Sequence, residues 1–540
     1  MSTGSLEYAE AELVASMGET DAKRTEGLPF CVVLPGDWSG RANRGLFAAS
    51  AELADWHPLL VDRDNLDQVI ERLGVKLKVT LPDHQTSSLT IDFKQLADFH
   101  PDRLCERLEI FESLRRTRAQ LSNPKTFAAA ASEVRSWAGL PSHPAPSPEA
   151  DSKETDEQKS PQTKSPEPLP GGDLLDQILD GTSTETSVPN SVPRPTPVSP
   201  EISELARAAV QPYLSPNIEA DQDQMIAAVD ARIADYLRAI MHHPDFQALE
   251  SAWRAIDFLV TRLETGTELK LYLLDISFEE IKADLRSEAD VRSTALYNLL
   301  VEQTINTPGG IPWSVVAGNY TFDFASGDPG LIERLSLIAK DAGAPFIASA
   351  SAHLLGCESL AQTPDPDDWQ HSLDPQIEAL WESLKTMPSA AYIGFGLPRF
   401  LLRLPYGEET DPAEEINFEE MPEIEETEAA GISRHESYLW ANPIFAIAFL
   451  LAKGFSQDGW SFRPSDSMEI EGLPLHVYKR DGDSQIQPCA EVLLTMRAAN
   501  KIIDRGLMPL LSLKNSDTIR LGMFQSIAGG PLAGPWNQAS

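Results

Sequence analysis

LKLYLLDIS, residues 269–277, decides the fold class. Its apolar residues, broken before Asp275 only by Lys270, occupy both parities of the strand, which is how a strand reads when both of its faces are covered. Immediately upstream, MIAAVDARIADYLRAIMHHPDFQALESAWRAIDFLV (225–260) has helical spacing. Met225, Val229, Ile233, Tyr236, Leu237 and Ile240 form one stripe; Phe246, Leu249, Trp253, Ile256, Leu259 and Val260 form a second after a break at Pro244. Downstream, SFEEIKADL (277–285) predicts a helix capped by Ser277, with Glu280 at capping-box spacing. IPWSVVAGNYTFDF (311–324), GLIERLSLIAKDAGAPFIASAS (330–351) and AAYIGFGLPRFLLRLPYG (390–407) continue the alternation of strand and helix. This order predicts an α/β unit with a covered sheet over residues 201–540.

A second folded unit is expected over residues 27–139, after a flexible tail at 1–26. Phe30 to Leu34 is a short apolar strand that breaks at Pro35-Gly36-Asp37. Leu59 to Val61 is another strand, followed by a helix with Leu66, Val69, Ile70 and Leu73 on one face. KLKVTL (76–81) and SLTIDF (88–93) alternate at period two and suit a hairpin. Pro101 sits where a first helical turn tolerates proline, and Leu104, Leu108, Phe111 and Leu114 follow at helical spacing. A helix over FAAAASEVRSWAG stops at Gly139. The unit reads as a small α+β domain.

Between the two lies a Pro-, Ser- and Glu-rich linker, 140–200, too poor in apolar residues to offset the entropy of ordering. It holds one amphipathic element at 173–181, where Leu174, Leu175, Ile178 and Leu179 share a face. The 540 residues carry a net charge of −38, which disfavours nucleic acid and anionic membranes as partners. No apolar run is long enough to span a bilayer, and the acidic N-terminus does not read as a secretory signal. The four cysteines, Cys31, Cys105, Cys357 and Cys489, have no metal-ligand spacing and suit free thiols in a reducing cytoplasm.

No enzyme constellation holds together. Gly394-Phe395-Gly396 starts like a dinucleotide loop but runs into Pro398. Phosphate-cradling, nucleophile-elbow and HExxH motifs are missing from the chain. His242-His243 lacks further ligands at metal spacing and suits the end of the preceding helix, where it would satisfy the last carbonyls. Asp365, Asp367 and Asp368 resemble the start of a calcium loop but lack its closing Glu. No cofactor is expected. The acidic stretch from Glu408 to Gly431 reads as a solvated loop.

The ordered pieces of the first unit resemble the small (TssB-like) subunit of the type VI secretion contractile sheath. They are Leu28-Pro29-Phe30, Gly36-Asp37-Trp38-Ser39-Gly40, Asp62 to Leu66, and Ala97-Asp98-Phe99-His100-Pro101-Asp102. HPDFQALESAWR (243–254), GGIPWSVVAGNYTF (309–322), APFIASAS (344–351), LPRFLLRLPYG (397–407), YLWANP (438–443), EGLP (471–474) and DRGLMPLLSLKNSD (504–517) resemble the large (TssC-like) subunit. The resemblance implies a sheath-type fold and a structural subunit of a bacterial cytoplasmic machine. Such subunits self-associate into a helical tube around an Hcp-type inner tube, meet baseplate proteins, and are dismantled by a Clp-type AAA+ ATPase.

By the same resemblance, Leu174, Leu175, Ile178 and Leu179 are candidates for engaging that ATPase. The helix 493–506, with Arg497, Lys501, Asp504 and Arg505, is the candidate for facing the inner tube. Arg399 and Arg403 lie in an apolar stretch kept extended by Pro398 and Pro405, and are expected to pair with Glu419 or Glu420. The resemblance implies strand exchange between protomers, which is expected either to be altered here or to use GTSTETSV (181–188) rather than the proline-rich residues after it. Two other readings remain open here: a non-polymerising acidic adaptor of the same machine, and an enzyme with an unrecognised site.

Overall fold

The structure is a computed structural model that describes residues 27–81, 88–137, 222–324, 328–421, 434–480 and 482–538. Two compact units emerge, one of residues 1–111 with 230–540 and the other of residues 112–229. The element 173–181 and the segment 181–188 lie outside the described residues.

The first unit is built on a 9-stranded sheet. Its strands are β1 (Phe30–Gly36), β2 (Leu59–Val61), β5 (Leu269–Asp275), β6 (Val315–Phe322), β7 (Phe346–Ala350), β8 (Ile393–Leu397), β11 (Glu469–Ile470), β14 (Met508–Ser512) and β15 (Ile519–Leu521). They run in the order β11-β15-β14-β8-β7-β6-β1-β5-β2. Contacts from β14 through β5 are parallel, and antiparallel strands close both edges. The chain is therefore α/β, as its alternation predicts.

The sheet crosses the expected domain boundary. β1 comes from the first of the two segments that sequence reading separates, yet it pairs along its whole length with β5, from Phe30 with Leu269 to Gly36 with Asp275. On its other side it pairs with β6. All seven residues of β1 are buried, so an apolar run with no polar face finds cover on both sides. The strand continues through Pro35 and Gly36, where the Pro-Gly pair suggests a break, because Gly36 still pairs with Asp275.

The GDWSG motif after β1 ties the same two strands together at their carboxyl ends. Asp275 Oδ1 accepts hydrogen bonds from the amides of Trp38 (2.8 Å) and Ser39 (3.0 Å), and its Oδ2 accepts from the Ser39 hydroxyl (2.7 Å). Arg41 then donates to Glu280 at 2.9 Å. Gly40 has a φ of +71°, and a Cβ there would lie 2.4 Å from the Lys76 carbonyl oxygen, so only glycine fits the turn.

Four features of the sequence reading reappear in the remaining elements. The hairpin forms between β3 (Lys76–Thr80) and β4 (Ser88–Asp92), with Leu77 opposite Ile91. Helix α1 (Leu66–Leu73) buries Leu66, Val69 and Ile70. Helix α2 (Pro101–Arg107) has Pro101 in its first turn. Ser277 and Glu280 complete a capping box on α7 (Phe278–Ser287). The other helices of eight residues or more among the described residues are α3 (Glu109–Ser122), α4 (Phe127–Trp137), α5 (Gln222–Met241), α6 (Pro244–Arg262), α8 (Asp328–Ala342), α9 (Pro375–Lys385), α10 (Pro443–Asp458) and α11 (Met496–Asp504), and β12 (Val477–Arg480) pairs with β13 (Asp483–Ile486) away from the large sheet.

Every residue of α10 from Pro443 to Ala452 is buried, as expected of a helix apolar all round. It lies against β1, β6, β7 and β8 on one side and against α6 on the other. Trp38 and Trp253, both 0 % exposed, meet edge to face at 5.7 Å between the sheet and α6. Truncating either to alanine removes roughly 3–5 kcal/mol.

His243 differs from expectation. It does not close α5; its Nδ1 accepts from the Asp245 amide at 3.3 Å and so caps the start of α6. His100 does the same for α2 through the Asp102 amide. In both cases proline at the next position favours extended backbone for the histidine, the geometry an N-cap requires.

Candidate functional site

The extended stretch after β8 carries Arg399 and Arg403 past β9 (Phe400–Leu401), which pairs with β10 (Trp440–Ala441). Arg403 enters the interior beside α6. Its guanidinium forks onto Glu250 at 2.8 and 3.1 Å and onto Glu420 at 2.6 and 2.9 Å. The side chains are 10 %, 0 % and 1 % exposed respectively. Arg254, one turn on from Glu250, shares that carboxylate at 2.7 Å and also donates to the Tyr406 hydroxyl at 2.7 Å. The Tyr406 amide donates to Glu420 at 2.8 Å, and the Arg403 guanidinium lies 4.5 Å from the Tyr406 ring centre. His242 stands 3.7 Å from Glu420.

Bidentate arginine–carboxylate pairs with every oxygen satisfied offset much of the desolvation cost of burying them. Burial alone would raise the Glu420 carboxyl, but Arg403 and His242 outweigh it and hold the pKa at about 2. Burial also opposes the charge on Arg403, and Glu250 with Glu420 keeps it well above its ordinary value. Burial pushes Tyr406 up to about 12.

The expected pairing is therefore found for Glu420 and not for Glu419. Glu419 is exposed, and its carboxylate accepts from the Glu408 amide at 2.8 Å. Nor is the described part of the acidic loop simply solvated. Ile416, Phe418 and Glu420 are buried, and the Asp102 carboxylate of α2 accepts from the amides of Glu414 (2.8 Å) and Glu415 (3.2 Å).

Arg399 takes a different acid. It bonds Glu491 at 2.5 Å and reaches Glu436 at 3.5 Å. His435 Nε2 lies 3.0 Å from the same Glu491 oxygen. Burial raises the Glu491 carboxyl, and His435 with Arg399 brings it down to about 2. His435, Glu436 and Glu491 bring one ligand atom each within 4.8 Å of one another, a spacing that suits a cation. Arg399 already sits on both carboxylates and supplies that charge.

The helix expected over 493–506 is α11, which starts after the Thr495 cap. It buries Ala498, Ala499 and Ile502 and turns Met496, 68 % exposed, outward. Arg497 bridges Asp365 (2.6 Å) and Asp367 (3.0 Å), so the calcium-like aspartates hold an arginine. Lys501 donates to the Pro366 carbonyl at 2.6 Å, Arg505 forks onto Glu378 of α9 at 2.6 Å, and Asp504 is exposed.

Glu250 and Glu491 escaped the sequence reading. Glu250 had a signal: it follows Leu249 and precedes Trp253 by three, so it falls inside the apolar stripe of α6, where a carboxylate demands a partner. Glu491 lies in an irregular loop with no periodicity to mark its face.

Comparison with known proteins follows the same division of the chain. A family model described as VipB (EvpB/VC_A0108, tail sheath N-terminal domain) matches residues 223–528. A second, described as T6SS_VipA (Type VI secretion system, VipA, VC_A0107 or Hcp2), matches residues 14–136. The type VI secretion system sheath protein TssC1 of Pseudomonas aeruginosa PAO1 is 35 % identical over 301 residues, 55 % of this chain and 59 % of that protein. The chain thus spans less than two thirds of that relative's length. No helix among the described residues is long and apolar enough to cross a membrane. With more than half of its length matched by the tail-sheath model and its N-terminal part by the VipA model, the chain belongs to the type VI secretion sheath family, with both subunit types in one polypeptide and a structural rather than enzymatic role.

Proposed function

We propose that this chain is a structural subunit of a contractile sheath that polymerises in the bacterial cytoplasm around an Hcp-type inner tube and contracts to propel it. The observation that carries the reading is the shared sheet. β1 of the VipA-like segment lies between β5 and β6 of the VipB-like segment, so the two subunit types share a sheet and stand at a fixed one-to-one ratio. Head-to-tail contacts that do not close generate a helical tube, and two packings of one protomer supply the contraction. Baseplate proteins would nucleate the tube. A Clp-type ATPase would dismantle the spent form through Leu174, Leu175, Ile178 and Leu179. The outward face of α11, with Arg497, Lys501, Asp504 and Arg505, is the proposed contact with the inner tube, and residues 181–188 the proposed exchanged strand.

Electron microscopy of the purified chain with its cognate ring-forming protein tests the reading. Cylinders of regular pitch are expected. A discrete monomer or dimer under those conditions would instead favour a non-polymerising adaptor. Hydrogen exchange on assembled tubes should show protection at 181–188, and its absence there removes the strand assignment.

A further inference from the structure

The β12–β13 hairpin stands apart from the large sheet. No residue of either strand is buried, and Val477 is 50 % exposed. Its hold on the body lies at its root. There the Gln487 amide donates to the His476 carbonyl at 2.9 Å and extends the ladder by one rung. His476 itself is buried, at 8 % exposure.

Two tyrosines flank the His476 ring, with ring centres at 5.6 Å for Tyr438 and 5.8 Å for Tyr478. The Tyr438 hydroxyl lies 2.7 Å from Nδ1. Burial pushes that phenol up to about 12, so it keeps its proton and donates it to Nδ1. Nδ1 is then the acceptor of a neutral imidazole whose own proton is on Nε2. The Arg434 guanidinium lies 4.4 Å from the Tyr478 ring centre and disfavours a second positive charge on the histidine. Glu420 favours such a charge, but Arg403 already holds both of its oxygens. Burial first and Arg434 second bring His476 down to about 4, from an ordinary 6.5. Once charged, the ring would meet a hydroxyl proton at Nδ1 and a guanidinium close by, away from water.

We propose that His476 is a pH-sensitive catch: its neutral ring pins the root of the β12–β13 hairpin between Tyr438 and Tyr478, and protonation releases the hairpin from the body. The sign follows from linkage. The open hairpin binds a proton with the ordinary affinity and the closed one far more weakly, so closure is complete above about pH 6.5 and is lost as pH falls toward 4. The catch does not depend on whether the chain polymerises.

Amide hydrogen exchange on the full chain, corrected for the intrinsic pH dependence of exchange, tests this. Between about pH 7.5 and 5, hairpin opening should become roughly 30-fold more favourable. It is read as lost protection at Gln487 and along β12 and β13, while β1 and β5 keep theirs. That window stops short of the range in which Glu420 and Glu491 titrate. His476→Gln keeps an acceptor for Tyr438 and should make hairpin protection independent of pH over this range. Arg434→Gln removes the neighbouring charge and should shrink the wild-type fall, because the closed histidine then takes up a proton more readily. It also guards against a hairpin lost altogether in the first variant. Wild-type protection that is flat with pH, a fall of the same size in His476→Gln, or a parallel fall at β1 and β5 would overturn the proposal.

Discussion

Arg403 and Arg497 each bridge two carboxylates, but the same motif does different work at the two places. Arg403 is 10 % exposed between acids that are 0 % and 1 % exposed. Arg497 is 57 % exposed between Asp365 at 57 % and Asp367 at 69 %. Water and salt already stabilise the charges of the second trio, so its bridge is replaceable. The first trio has no such substitute, and removing one member strands the others. The shortest distance is 2.6 Å in both, but Arg403 forks onto both oxygens of each acid while Arg497 offers Nη2 alone, so exposure and fork geometry rather than distance separate a structural clamp from a surface decoration.

The sharpest way to break this comparison is Arg403→Met. It should cost about 3–5 kcal/mol in urea unfolding, because two buried carboxylates lose the guanidinium they share and keep only Arg254 on Glu250 and His242 with the Tyr406 amide on Glu420. A loss below ~1 kcal/mol would mean that the interior readmits water.

The pH dependence is the next largest effect. Glu420 and Glu491 each titrate at about 2 in the folded protein, below the ~4.3 of an unfolded glutamate. Depressed folded values give stability that is complete above the unfolded pKa and is lost as pH falls toward 2. The unfolding midpoint should therefore drop between roughly pH 4.5 and 2, with roughly 2–3 kcal/mol attached to each group. Glu420→Gln should flatten that slope; an unchanged slope would assign the titration elsewhere.

The two His-Pro-Asp helix starts sharpen the same lesson. Asp102, 14 % exposed, holds the Glu414 and Glu415 amides, whereas Asp245, 51 % exposed, accepts from the Asn43 side chain. Asp102→Ala should cost about 1–2 kcal/mol and speed hydrogen exchange at 414 and 415. Asp245→Ala should cost a few tenths at most. Smallest of all, Arg497→Ala should leave the melting curve within the scatter of repeat scans, while coassembly with the ring-forming protein falls if α11 faces the inner tube.

Much of this was legible beforehand, and the misses have physical reasons. Continuous apolar runs marked β1 and β5 as interior strands, and period-two alternation marked the β3–β4 hairpin. Burial on both faces tells a reader that β1 has neighbours, but nothing local says which, so its place between β5 and β6 stayed hidden. The choice between Glu419 and Glu420 turns on a broken alternation. Ile416 and Phe418 point inward, Glu419 outward, and Glu420 inward again. That irregularity is set by Arg403, 17 positions earlier in the chain, and not by the loop itself. His243 was assigned to the wrong end of a helix because two helices meet at Pro244 and either could claim it.

The threading of β1 between two much later strands has a consequence for biosynthesis. Phe30 and Val32 leave the ribosome early, but their partners Leu269 and Val315 follow only after more than 200 further residues. At about 5–20 residues per second, that strand spends on the order of ten seconds or more with both edges bare. Nascent chains of this protein must therefore keep an apolar heptamer from pairing with one another until the matching slot has been made.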